Sequence, residues 1–164
     1  FKDALTKAYR DYLLENNPEL GSISIINSKR NIAYGYLKAD ISCVEARTLL
    51  TRLTQETGIL LATPNFISKE CVSRGSSLND EDCLMGLTNE FVVKLKNPNQ
   101  TSKLASLINE TNTKLVSQNE LFTVISADKN SIGNSLEISR YFYETGYFEF
   151  SHPDFLMKVI FDNK

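Results

Sequence analysis

The chain is short of the residues that most enzyme active sites use. Its 164 residues include one histidine, His152, and no tryptophan. It contains no P-loop, no Gly-x-Gly-x-x-Gly fingerprint and no His-Glu-x-x-His motif. A histidine-dependent nucleophile would therefore have to use His152. We expect the chain to be non-catalytic and to bind no cofactor.

An excess of charge of one sign and a long apolar run are also absent. Lys and Arg number 18 against 20 Asp and Glu, which gives a net charge of -2. Nucleic-acid binding requires a clustered cationic face, and neither half of the chain is basic. The apolar runs are too short for a transmembrane span. With 41% hydrophobic and 23% charged residues, the composition is typical of a globular protein, and neither a nucleic acid nor a membrane is expected as a partner.

Cysteine is scarce, and its spacing excludes the common metal sites. Cys43, Cys71 and Cys83 form no Cys-x-x-Cys pair, and the single histidine is distant, so zinc is not expected. Cys71 and Cys83 flank a polar stretch, and a disulfide across it would contribute about 3 kcal/mol through loop entropy. Three free thiols are the alternative that spacing alone leaves open. The acidic run at 80–82 lacks the alternation of a calcium-binding loop.

Residues 1–67 carry the pattern of a small α+β half. Apolar residues recur every three or four positions in its predicted helices and alternate in its predicted strands. Ser42 and Glu45 have the spacing of a capping box. The predicted elements are a helix over 2–16, strands at 23–25 and 32–36, a helix from Ser42 to Gly58, and a buried strand at 59–62.

Residues 88–156 carry a clearer pattern, after a polar stretch at 68–87 that is predicted to be a linker. Their order is strand, helix, strand, strand, helix, strand. This order is the split β-α-β of the ferredoxin-like fold, an antiparallel sheet with helices on one face. The predicted elements are a strand through Phe91, Val93 and Leu95, a helix capped by Thr101, strands at 114–118 and 122–127, a helix from Asn134 to Gly146, and a strand at 147–151 that His152 and Pro153 end.

The two parts share a repeated sequence pattern. Each has a capped helix, then Glu-Thr-Gly, a short apolar segment, and Pro-Asx-Phe followed by an aliphatic residue. The first copy spans 45–67 and the second spans 137–156. The repeat predicts two related ferredoxin-like α+β units, of which the first is degenerate because it lacks an obvious opening strand. Two helix–turn–strand units that share common turn residues by chance are the alternative.

The C-terminal region is rich in aromatic residues and ends in an apolar segment. An aromatic surplus beyond the core would suit a partner surface, although most of these residues are also expected in the core. The segment 155–161 follows a completed fold unit. It is either an extra strand or an extended segment that lies on another protein, with 157–164 as the exiting tail. The aromatic residues are Tyr141, Phe142, Tyr143, Tyr147, Phe148, Phe150 and Phe155.

Residues 135–155, which read SLEISRYFYETGYFEFSHPDF, resemble the end of the N-terminal prodomain of subtilisin-like serine peptidases. The resemblance is closest to the large secreted peptidases of Bacteroidetes-type bacteria. Their prodomains have a helix that ends in a Phe-Tyr-Glu-x-Gly-like turn, followed by a strand that ends in acidic-Pro-Asp-Phe. His152 stands in place of the acidic residue, and Ser139 stands where alanine is common. Residues 88–96 resemble the first strand of that module, and residues 42–67 resemble the module more weakly.

The resemblance implies a non-catalytic prodomain that acts as intramolecular chaperone and temporary inhibitor. Its sheet would dock on the cognate subtilisin-like catalytic domain, and its tail would lie in the active-site cleft. The protein would be secreted, periplasmic or at the cell surface. A first residue other than Met, here Phe1, is expected where a leader has been removed or where the chain is a piece of a longer one. The partner-binding residues of this hypothesis are Phe150, Phe155, Leu156 and Met157.

Two other hypotheses make different structural predictions. A stand-alone secreted binding or adhesion module of the same fold predicts that residues 155–161 pack back as a strand of this domain. A small hydrolase predicts that His152 lies within hydrogen-bond distance of a thiol in a concave pocket.

Overall fold

The computed structural model describes residues 7–27, 32–67 and 83–157. The chain divides into two compact units, Phe1–Leu53 and Thr54–Lys164. The described residues form an α+β structure with antiparallel sheets and four α-helices, which confirms the predicted class. The division falls within the second helix, whereas the sequence placed a linker at 68–87. Of that linker, residues 68–82 lie outside the described residues and 84–87 belong to a strand.

The first unit contains a helix, a hairpin and most of a second helix. The two strands pair antiparallel with each other. The buried Asn17 ends the first helix by donating its amide to the Leu13 carbonyl at 2.7 Å. Arg52 donates to the Asn17 side chain at 2.9 Å and pairs with Glu19 at 2.6 Å, so the second helix is tied to this turn. The elements are α1 (Lys7–Asn16), β1 (Leu20–Asn27), β2 (Ile32–Leu37) and α2 (Cys43–Gln55).

The capping box that starts α2 is confirmed, and the predicted strand at 59–62 is wrong. The Ser42 backbone N–H donates to the Glu45 carboxylate at 2.9 Å. Residues 59–62 form no strand because their backbone groups are used elsewhere. The Leu60 carbonyl accepts from the Lys129 N–H at 3.1 Å, and the Ala62 N–H donates to the Thr54 hydroxyl at 3.3 Å. The strand β3 (Asn65–Ile67) instead begins three residues after the end of the predicted one.

The second unit is built on one long strand, β4. Strand β7 runs along one edge of β4, while β3 and β6 share the other edge. Strand β5 pairs with β6, so the four longest strands lie in the order β7-β4-β6-β5, all antiparallel. The elements are β4 (Leu84–Leu95), α3 (Thr101–Glu110), β5 (Lys114–Gln118), β6 (Thr123–Ser126), α4 (Ser135–Glu144) and β7 (Phe148–Met157).

Helices α3 and α4 cover one face of this sheet and enclose the core with it. The ring of Phe142 is fully buried between Phe91, at 5.2 Å between centroids and edge to face, and Phe148, at 5.3 Å and stacked. Apolar side chains from both helices close the cluster. The buried core consists of Phe91, Val93, Leu104, Leu107, Ile125, Ala127, Ile138, Phe142 and Phe148.

The predicted helix ends of this unit are confirmed at α4 and corrected at α3. Asn134 and Glu137 make both hydrogen bonds of a capping box, and Gly146 follows α4 with a φ of 78°. Thr101 does not cap α3. A single 3₁₀ turn at Pro98–Gln100 precedes that helix, and the Asn97 side chain caps this turn by accepting from the Asn99 N–H.

Strand β7 is longer than the sequence predicted. His152 and Pro153 do not end it, since it continues to Met157, and Pro153 lies opposite Phe91 of β4. Proline has no N–H to donate, but an edge strand tolerates it where that position faces away from the neighbouring strand. Residues 155–157, which were expected either in an extra strand or in an extended segment on another protein, are therefore paired with β4.

The states of Cys43 and Cys83 agree with the predicted disulfide between Cys71 and Cys83. Cys83 is buried at the start of β4 and is disulfide-bonded, while Cys43 is an exposed free thiol at the start of α2. The predicted partner, Cys71, lies outside the described residues.

Candidate partner-binding face

The sheet of the second unit has a second face, opposite to α3 and α4. Successive side chains of a strand point to opposite faces. Because Phe91 and Val93 lie in the helix-covered core, the residues between and beside them point the other way. The same alternation applies to β6, where Ile125 is in the core. We call this side the open face, and it consists of Glu90, Val92, Lys94, Val124, Ser126, Phe150 and His152.

An apolar row crosses the middle of the open face. Val92 lies opposite Val124 on one side and opposite His152 on the other. The ring of Phe150 stacks on the His152 ring at 5.6 Å between centroids and 14° between planes. Both valines and Phe150 are half-buried, whereas His152 is exposed. The face thus offers apolar and aromatic side chains that the helices of this unit do not cover.

Charged side chains at the border of the open face have polar partners within the unit. Lys94 pairs with Glu149 at 2.7 Å, and Thr88 donates its hydroxyl to Asp154 at 3.3 Å. An exposed ion pair of this kind is worth little energy. A partner would therefore be held mainly by burial of the apolar row, with the ion pair at the rim setting its orientation.

The structure separates the predicted partner-binding residues into two groups. Phe150 lies on the open face. Phe155 and Leu156 lie opposite Leu87 and Gly86 of β4, and Met157 lies opposite Met85. The side chain of Met157 and residues 158–164 lie outside the described part of the chain.

Phe155 has a packing partner within its own unit. Its ring meets the ring of Phe66 of β3 edge to face, at 6.2 Å and 84°. Both rings are partly buried where β3, β4 and β7 run side by side. Phe155 therefore helps to hold this end of the sheet together.

Sequence reasoning missed Val92 and Val124 as members of the face. The signal was available in the run Phe91-Val92-Val93, because a strand with apolar residues on successive positions has two apolar faces. His152 was expected to end the last strand, and it lies instead within β7, exposed on the open face. A nucleophile made of His152 and Cys83 is not supported, since Cys83 is disulfide-bonded.

An aspartate and a tyrosine of this unit have pKa values that are shifted by structural contacts. The Lys114 ammonium, 2.6 Å from Asp128, lowers the pKa of that carboxyl, and the Asn130 N–H lowers it further. The pKa of Tyr141 is raised because its hydroxyl donates to Glu110 at 2.5 Å. Asp128 belongs to the loop after β6, where it pairs with Lys114 of β5, and Tyr141 links α4 to α3.

Comparisons with known proteins assign no function to the open face. No protein-family model, curated protein sequence or solved structure matches the chain. Within the described ranges, no group of three or more His, Cys, Asp or Glu residues could hold a metal ion. None of the helices in those ranges is long and apolar enough to cross a membrane.

Proposed function

We propose that the second unit is a ferredoxin-like protein-binding module, and that the chain is the non-catalytic prodomain of a secreted subtilisin-like peptidase. The strand order β7-β4-β6-β5 with two helices on one face supports the ferredoxin-like assignment of this unit. A degenerate first unit of the same origin remains part of the proposal, on the strength of the sequence repeat alone.

The observation that carries the proposed function is the open face. A sheet with helices on one side keeps an apolar second side only where another layer is to cover it. Here that side presents Val92, Val124 and Phe150. A catalytic domain that packs on this face would be stabilised in its folded form by the binding free energy, which is how a prodomain acts as a chaperone.

The extent of β7 changes where an inhibitory tail can begin. Since β7 pairs with β4 as far as Met157, a segment that reaches an active-site cleft would start after Met157. Phe155 and Leu156 would then anchor the sheet next to the point of exit rather than fill specificity pockets.

The disulfide at Cys83 supports the proposed compartment. Disulfides persist in oxidising compartments and are rare in the cytosol. A bonded Cys83 is thus in keeping with a protein that is secreted, periplasmic or held at the cell surface.

A stand-alone secreted binding or adhesion module is the second candidate. The specific observation in its favour is that Phe155–Met157 packs back as part of β7, as this hypothesis predicted for the start of the 155–161 segment. It uses the same open face, with a partner other than a peptidase.

The reading frame beyond Lys164 and an inhibition assay together test the proposal. We expect Asp-[Ser/Thr]-Gly, His-Gly-[Thr/His] and Gly-Thr-Ser-x-[Ala/Ser] segments in that order downstream. The catalytic domain they belong to should be inhibited by this chain added in trans, and its yield of active enzyme on refolding should rise.

Variants of the chain show whether the open face is responsible. Val92→Lys should weaken inhibition by about tenfold or more, because the added charge would be desolvated in the interface. Ile132→Lys adds the same charge at an exposed residue away from the face and is the matched control. His152→Ala removes an exposed ring of the same face and should weaken inhibition less than Val92→Lys does. A frame without these segments would favour the stand-alone module. Equal inhibition by Val92→Lys and Ile132→Lys at matched thermal stability would show that the open face is not the surface that contacts the peptidase.

A further inference from the structure

The hairpin of β5 and β6 exposes an apolar surface that the open face does not include. Leu115 and Val116 of β5 are 52% and 51% exposed, and Leu121 and Phe122 of the connecting loop are 68% and 37% exposed. These four residues, which we call the hairpin patch, lie within eight consecutive positions. Contiguous exposed apolar residues of this kind mark interaction surfaces.

The loop that carries half of the hairpin patch is held in place. The Asn119 side-chain oxygen accepts from the Leu121 N–H at 2.8 Å and from the Phe122 N–H at 2.9 Å. The Asn119 N–H donates to the Phe122 carbonyl at 3.1 Å. Leu121 and Phe122 are thus presented to solvent by an ordered turn, which reduces the entropy lost when a partner binds them.

The outer strands β7 and β5 differ in the features that hinder pairing of a sheet edge with another chain. Edge strands are normally protected by proline, charge or bulges. Strand β7 has Pro153, Glu149 and Asp154. Among the described strands β5 pairs only with β6, and it has no proline. Its single charge, Lys114, is neutralised by Asp128, and its one irregularity is a bulge between Leu115 and Ser117.

We propose that β5 pairs antiparallel with β5 of a second copy of this chain, which joins the two sheets into one. Lys114 starts the strand, and Glu120 lies just beyond its end. Antiparallel pairing about a two-fold axis places the start of each strand beside the end of the other. Lys114 of each copy then approaches Glu120 of the other, and its side chain is 69% exposed despite the ion pair with Asp128. Parallel pairing would place like charges side by side.

Sedimentation equilibrium over a range of concentrations tests this pairing. The wild-type chain should show a monomer–dimer equilibrium. Val116→Lys should raise the dimer dissociation constant by about tenfold, because two-fold symmetry makes each substitution act twice. Glu120→Lys should also weaken the dimer, and more so at low salt, because it replaces attraction with repulsion. Ile132→Lys adds a positive charge to the same unit outside the hairpin and should leave the dimer unchanged.

Hydrogen exchange locates the interface independently of the variants. Amides of residues 114–118 should gain protection as the concentration of the wild-type chain rises. A chain that stays monomeric at every soluble concentration contradicts the proposal, as does a dimer that Val116→Lys leaves intact. Protection of β5 that appears only when a peptidase is added would assign this edge to that partner and would equally overturn self-pairing.

Discussion

At the scale of single residues, Asp128 shows how a buried charge is accommodated in this chain. One carboxylate oxygen accepts from the Lys114 ammonium at 2.6 Å, and the other accepts from the Asn130 N–H at 2.8 Å. The Asp128 N–H in turn donates to the Ser131 hydroxyl at 3.0 Å. Because the contacts of the carboxylate with Lys114 and Asn130 favour the ionised form, they lower the pKa of Asp128, with the Lys114 contact as the largest cause.

This lowered pKa predicts an acid-dependent part of the stability. A carboxyl whose pKa is lower in the folded than in the unfolded state stabilises the fold above the unfolded value. That contribution is lost as the pH falls through the folded value. We expect Asp128→Asn to lower the free energy of unfolding by about 1–2 kcal/mol at neutral pH. The difference from wild type should shrink on acidification below about pH 4. Urea unfolding at several pH values measures this, and a difference that does not change with pH would contradict the assignment.

Single capping residues also show what the sequence could and could not predict. Asn134 and Glu137 stand at capping-box spacing, and both partners needed for that motif are local, so the prediction was confirmed. The Thr101 hydroxyl could likewise accept a hydrogen bond at the start of a helix. The structure instead uses Asn97 in front of an added 3₁₀ turn, which shifts the start of the helix. When two residues four positions apart could each cap a helix, the packing of the preceding turn determines which of them does. The sequence does not show that packing directly.

At the scale of elements, β7 is the strand whose length matters most for the proposed function. Sequence reasoning ended it at His152 and Pro153 because proline interrupts a strand in the interior of a sheet. The position of β7 at the outside of the sheet, which depends on tertiary structure, makes proline acceptable there. The same dependence explains β3, which forms after Pro64 because the first residues of β4 offer it a pairing edge.

The contact between Phe155 and Phe66 tests whether the end of β7 belongs to the fold. Phe155→Ala should lower the free energy of unfolding by about 1–3 kcal/mol, since it removes partly buried area and an edge-to-face pair. Phe66→Ala should do the same, and the double variant should lose less than the sum, with a coupling of about 0.5–1.5 kcal/mol. Tyr143→Ala, at an exposed aromatic residue of α4, is the control. Unchanged stability in Phe155→Ala would instead indicate that Phe155 belongs to an extended segment outside the folded unit.

At the scale of the whole molecule, each copy of the sequence repeat contributes a strand that pairs with β4. The repeat aligns Phe66 with Phe155, and these two rings contact each other. Their strands, β3 and β7, flank the same residues of β4 from opposite edges, at Met85 and Gly86. The segments that follow the helices nevertheless differ, because residues 59–62 form a loop while β7 is a strand of ten residues. The repeat therefore did not predict the secondary structure of its first copy, and the contact between Phe66 and Phe155 is a finding of the structure alone.

The states of the cysteines bear on the proposed compartment of the chain. Cys83 is buried and bonded where β4 begins, beside β3 and the end of β7, whereas Cys43 is exposed and free. Alkylation of the unreduced, denatured protein should therefore modify one of the three cysteines, Cys43, and alkylation after reduction should modify all three.

The same disulfide predicts a difference in stability between two serine variants. Cys83→Ser should lower the free energy of unfolding by about 2–4 kcal/mol, because it releases the constraint on the unfolded chain and exposes the start of β4. Cys43→Ser should change it by less than about 0.5 kcal/mol, because that thiol is exposed and bonded to nothing. Modification of all three cysteines without reduction would show that no disulfide is present. The argument for an oxidising compartment would then fail. The proposed secretion would then rest on the resemblance alone, since reduced thiols are what the cytosol maintains.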